Sequence, residues 1–127
     1  MSVSFDPQGN LVVVRATLWG PNGNLKPRMA LDTGSTSTLV NTTPLLFLGY
    51  DLTNTGDDTQ LATGSGGESV PCLVVERVDS LEQSRQNLRV VCHTLPISTR
   101  IDGLLGLDFL RGQSLLIDFR AGEITLN

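Results

Sequence analysis

The strongest constraint on the fold is the length of the apolar runs. Segments of five to ten residues rich in Val, Leu, Ile and Thr recur along the chain, separated by Gly, Asn, Pro and Asp, and few stretches hold a helical period. A chain punctuated in this way predicts short strands. Leu11 to Trp19 reads as one strand, Pro21-Asn22-Gly23-Asn24 as a turn carrying an Asn-Gly signal, and Leu25 to Leu31 as the returning strand. Asp32-Thr33-Gly34-Ser35 then makes a tight loop before Thr38-Leu39-Val40 resumes the pattern. Thr53 to Ser69 is polar and glycine-rich, which predicts a mobile hairpin over the surface with low local stability. Val70 to Val78 and Leu88 to Thr94 read as strands, with Asp79 to Gln86 a loop or short helical turn between them. Ile101 to Gly112 suits a buried strand leading into one short helix near Gly106 to Arg111. Ser114 to Phe119 and Glu123 to Leu126 form a last strand pair around Arg120-Ala121-Gly122. The class is all-β, in a single domain over residues 1–127 with no linker dividing it.

Composition narrows the function. A chain of 127 residues is long enough for one core without metal or disulfide staples. Eight Arg and Lys26 stand against 13 acidic residues, for a net charge of −4. That balance argues against a nucleic-acid partner, which needs a basic footprint. No apolar run approaches the roughly 18 to 20 residues that cross a bilayer, and the polar opening lacks a basic-then-apolar leader. The expectation is a cytoplasmic chain with no membrane partner. Cys72 and Cys92 are too few for a four-thiolate zinc site or a disulfide scaffold, and read as buried thiols. The single histidine, His93, is adjacent to Cys92, and strand alternation would send the two side chains to opposite faces.

The informative constellation is Ala30-Leu31-Asp32-Thr33-Gly34-Ser35, followed about seventy residues later by Asp102-Gly103-Leu104-Leu105-Gly106. An Asp-Thr-Gly alone is weak, and on it alone a turn aspartate bonding its own backbone is the better reading. The ordered pair of motifs resembles the retroviral-type (retropepsin-like) aspartic proteases, and the resemblance runs from about Leu11 to the C-terminus. It implies a closed acid-protease-like β-barrel lobe, a polypeptide substrate, and no metal or organic cofactor. The chemistry is sound independently. Hydrolysis by water needs one group to take its proton and another to protonate the substrate, and two carboxyls about 3 Å apart share one proton and supply both. An activity optimum below neutral pH follows.

Asp32 is the catalytic candidate, with Thr33 to hydrogen-bond across the site and Gly34 to let the backbone approach closely. The chain has one Asp-Thr-Gly, so the dyad requires a twofold homodimer that brings Asp32 from each copy to the axis. The resemblance implies interleaved terminal strands, for which Val3, Phe5, Ile124 and Leu126 are the apolar candidates. It also implies a flap that closes over bound peptide: Leu61, Ala62 and Thr63 enter it, Gly64, Ser65, Gly66 and Gly67 lie at or near its tip, and Ala62 to Gly66 contact substrate. Asp102 and Asp108 read as structural. Two departures stand out, since Thr36 and Leu107 occupy positions where retroviral enzymes carry a paired Asp and Arg. The alternatives are a catalytically inactive dimerisation or peptide-binding module on the same fold, and a monomeric barrel binding a small ligand with Asp32 incidental.

Overall fold

The computed structural model describes residues 1–63 and 65–127. In chain order its strands are β1 (Val3–Ser4), β2 (Val13–Gly20), β3 (Gly23–Leu25), β4 (Arg28–Leu31) and β5 (Leu39–Val40). Helix α1 (Thr42–Phe47) is followed by β6 (Asp58–Thr63), β7 (Gly66–Ser80) and β8 (Gln83–Cys92). A 3-10 turn (Ile97–Thr99), β9 (Gly103–Leu105), α2 (Leu107–Leu110), β10 (Leu115–Asp118) and β11 (Glu123–Leu126) complete the chain.

Six strands close a barrel in the order β2-β4-β9-β5-β8-β7 and back to β2. Closure depends on β2 serving two neighbours. Val13 to Arg15 pair with β4, and Ala16 to Trp19 pair with β7. Along β2, Val14, Ala16 and Leu18 alternate inward and are almost fully buried, so period-two patterning sets which face fills the core. They join Met29, Val75, Val78, Val90, Leu105 and Phe109 in the main core. A smaller cluster of Leu39, Val70, Cys72 and Val91 packs with Leu61, Leu95 and Leu104. Cys72 and Cys92 are free and buried, one in each cluster. Burial pushes the Cys92 thiol up to about 11 and raises that of Cys72, which keeps both as inert thiols at neutral pH.

The fold matches the expected all-β barrel, and four local expectations are corrected. The first hairpin pairs Gly20 with Gly23, so Pro21-Asn22 make the turn, not Asn22-Gly23. The Asp79 to Gln86 loop is instead a continuation of β7 and β8, joined by a two-residue turn at Leu81 and Glu82. Both turn residues have left-handed backbone (φ 52 and 61), a shape normally signalled by Asn-Gly. Leu81 tolerates it because its side chain is buried in the main core, where burial worth about 1.5 to 3 kcal/mol offsets the strain. The one short helix is joined by a second, α1, whose Pro44 lies in the first turn, where a missing N–H is harmless. Six residues are too few to display a helical period.

The fourth correction concerns the termini. β1 pairs with β11, and β11 with β10, all within one chain. Phe5, Ile124 and Leu126 are buried in the chain's own core, with Val3 packed against it, and so are not free apolar faces for a second copy. The apolar groups left outside on this sheet are Leu116 and Phe119, 65% and 57% exposed. Among the described residues, no helix is long and apolar enough to cross a membrane.

Candidate active site

The parallel pair β4–β9 builds the site. Met29, Ala30 and Leu31 lie in register with Gly103, Leu104 and Leu105, so Asp32 leaves the sheet beside Gly106. The Asp32 backbone N–H donates to the Leu105 carbonyl (3.0 Å), and its own carbonyl accepts from the Ser35 N–H (3.2 Å). Its carboxylate Oδ1 accepts from the Gly34 N–H at 2.9 Å. The other carboxylate oxygen makes no hydrogen bond among the described residues. A Cβ on residue 34 would sit 3.2 Å from Oδ1, so glycine keeps that carboxylate uncrowded. Thr33 is exposed, and within the single chain its hydroxyl makes no hydrogen bond among the described residues.

The loop after Asp32 is clamped to the corner between β9 and α2. Leu107 N–H donates to Ser35 O (2.8 Å) and Asp108 N–H to Thr36 O (3.2 Å). The two positions that lack the retroviral Asp and Arg thus each take part in the clamp through a main-chain bond, Leu107 to Ser35 and Thr36 to Asp108, with no charge pair between them. The sequence reading missed the centre of the clamp, Thr38, which is fully buried. Its hydroxyl donates to Asp108 Oδ1 (2.7 Å) and accepts from Gly106 N–H (3.2 Å), while its backbone N–H donates to Asp108 Oδ2 (2.9 Å). The available signal was a hydroxyl residue one position before the apolar Leu39-Val40 run and an acid two past the second glycine. Gly106 is obligatory here, since a Cβ would lie 2.7 to 2.8 Å from backbone atoms of Ser35 and Ser37. Asp102 is structural too, accepting from the Arg28 N–H through Oδ2 (2.9 Å).

The polar segment folds as a ribbon. β6 and β7 pair from Asp58 with Pro71 to Thr63 with Gly66, with Ser65 in the turn beyond them. Ala62, Ser65 and Gly66 are exposed on it, and the predicted contact Gly64 lies outside the described residues. On the inner side, partly buried Leu61 meets the cluster of Leu39, Val70 and Leu104, so an apolar floor links the ribbon to the strand that leads into Gly106. At its base, Arg89 grips Asp57 with two hydrogen bonds of 2.7 and 2.9 Å, and Cys72 N–H donates to Asp57 O at 2.7 Å. Those Arg89 bonds hold the Asp57 carboxyl below the usual carboxylate range. The predicted residues that are described thus fall into two groups, Asp32 to Gly34 on the clamped loop and Ala62, Thr63, Ser65 and Gly66 on the ribbon.

A closed six-stranded barrel with Asp-Thr-Gly at one strand end, locked to a Leu-Leu-Gly corner and accompanied by a ribbon, defines a single acid-protease-type lobe. The family model described as aspartyl protease matches residues 14–109, and the chain belongs to that family. Its fold is retropepsin-like. It is similar to a retropepsin-like aspartic protease from Rickettsia conorii, with a TM-score of 0.74 and 18% identity, over 100% of this chain and 89% of that one. It is also similar to the retroviral protease-like domain of Ddi1 from Leishmania major, with a TM-score of 0.57 and 16% identity, over 94% of this chain and 96% of that one. No curated protein matches the sequence.

Proposed function

We propose that the chain is an aspartic endopeptidase that works as a homodimer, with Asp32 of each copy forming the dyad. The observation that carries this reading is the state of Asp32: one carboxylate oxygen is oriented by Gly34, the other has no hydrogen bond among the described residues, and the loop beneath is fixed by the Thr38–Asp108 clamp. A half-site held this firmly is useful when a second carboxyl meets it. The pair then holds one proton, the ionised member takes a proton from water, and the protonated member donates to the scissile carbonyl oxygen as the gem-diol forms. Thr33 bonds across the axis to the partner loop. The ribbon covers an extended peptide, with Ala62 to Gly66 offering main-chain groups and Leu39, Leu61 and Leu104 favouring apolar side chains. The open outer edge of β10, with Leu116 and Phe119 exposed beside it, supports an isologous contact between copies.

The test is cleavage of a peptide library from acidic to neutral pH, with sedimentation of the same preparation. Cleavage that follows the dimer fraction and disappears in Asp32→Asn is the expected result. Retained cleavage in that variant would refute the assignment. Binding of a transition-state mimic by a dimer that cleaves nothing would instead favour the inactive peptide-binding module.

A further inference from the structure

A cavity of about 550 Å³ lies at the far end of β4 from Asp32, about 13 Å along the strand, bounded by β1, the segment leading into β2 and the 3-10 turn. It gathers Arg15, Arg28 and Arg100, three of the nine basic residues of a chain whose net charge is −4. Arg15 and Arg28 are direct cross-strand partners, so their side chains leave the same face of the sheet with Cβ atoms about 5 Å apart. Like charges opposite one another repel. Among the described residues none of the three arginines is in an ion pair; the nearby carboxylates are Asp6, which lines the cavity, and Asp102, whose Oδ2 accepts from the Arg28 N–H.

All three residues are exposed, and two of the three guanidinium groups are held. Arg15 Nη1 donates to Lys26 O (2.9 Å), and Arg28 Nε donates to Arg100 O (3.2 Å), which leaves the remaining guanidinium donors uncommitted among the described residues. Asp6 also lines the cavity, with its Oδ1 engaged by the Gln8 N–H at 2.9 Å. Ser98 adds a hydroxyl with no protein hydrogen bond among the described residues, and Leu11 and Val13 add apolar wall. Guanidinium forks suit the paired oxygens of phosphoryl and carboxylate groups, and the volume is that of a small-molecule site.

We infer that this cavity binds a compact multivalent oxyanion, a small phosphoryl or polycarboxylate compound, recognised by Arg15, Arg28 and Arg100. The site is separate from Asp32 and does not rest on the protease reading. The test is calorimetric titration of the intact chain at low ionic strength with pyrophosphate, with citrate and with a polyglutamate peptide. Expected is saturable binding of pyrophosphate or citrate, and which of the two binds tighter identifies the phosphoryl or carboxylate source. Arg28→Gln and Arg100→Asn should each weaken it about tenfold, the Asn being chosen because it tolerates the left-handed backbone of Arg100 (φ 57). Arg77→Ala should leave it unchanged. The inference is overturned if neither small anion binds saturably, if Arg77→Ala weakens binding as much, or if polyglutamate alone binds. Circular dichroism confirms folding, and if Arg28→Gln fails to fold, Arg100→Asn decides.

Discussion

The loop carrying Asp32 and the ribbon of β6 and β7 are held in opposite ways. The loop is fixed from below by main-chain bonds to Leu105, Leu107 and Asp108, by the buried Thr38 hydroxyl, and by backbone contact at Gly106 that admits no side chain. The ribbon is anchored on one side by Leu61 and at its base by an exposed Arg89–Asp57 pair, and most of it faces solvent. The two regions need different degrees of precision. On the proposed reading, a carboxyl that shares a proton with its twin tolerates little displacement, whereas a ribbon that admits and releases a peptide must separate readily.

The contrast can be tested by substitution, beginning with Asp32. Asp32→Asn should lower kcat/KM for peptide cleavage by at least about a thousandfold while leaving the thermal midpoint close to that of the parent. A collapse of stability in that variant would mean that the carboxylate is mainly structural. Gly106→Ala forces a methyl group into the backbone of Ser35 and Ser37, and denaturant unfolding should show a loss of about 3 kcal/mol or a chain that no longer folds. Thr38→Val keeps the shape and strips the hydroxyl that joins Asp108 to Gly106, so a loss of about 1.5 to 3 kcal/mol is expected in the same measurement.

The ribbon should respond more weakly and more locally. Arg89→Ala should speed amide exchange in β6 while protection in β5 and β9 stays as in the parent. The same pair has a defined pH sign. Because Arg89 lowers the folded-state value of Asp57, its stabilisation is fully present above the ordinary carboxylate range and is lost as pH falls through the depressed value. Exchange in β6 should therefore rise at strongly acidic pH in the parent, with a smaller rise in Arg89→Ala. Equal responses would show that Arg89 does not anchor the base.

The barrel was legible because the signals that specify it are local and repeated. Val14, Ala16 and Leu18 alternate cleanly, and the two glycine motifs mark the strand ends that meet. What escaped was nonlocal or disguised. The Leu81-Glu82 turn hides a tight reversal in residues that rarely form one, because tertiary burial of Leu81 compensates. Val3, Phe5, Ile124 and Leu126 are apolar, yet hydrophobicity does not say whether the surface they meet belongs to the same chain. Thr38 was lost among neighbouring hydroxyl residues, since only its partner 70 positions away distinguishes it.

The side-by-side course of β4 and β9 has a further consequence for biosynthesis. Leu31 meets Leu105 across more than half the chain, and the long-range ties that immobilise the Asp32 loop come from residues 105 to 108. Contacts so distant in sequence close late. A growing polypeptide on the ribosome therefore carries Asp32 in a slack, unformed corner until residues 105 to 108 have emerged and docked.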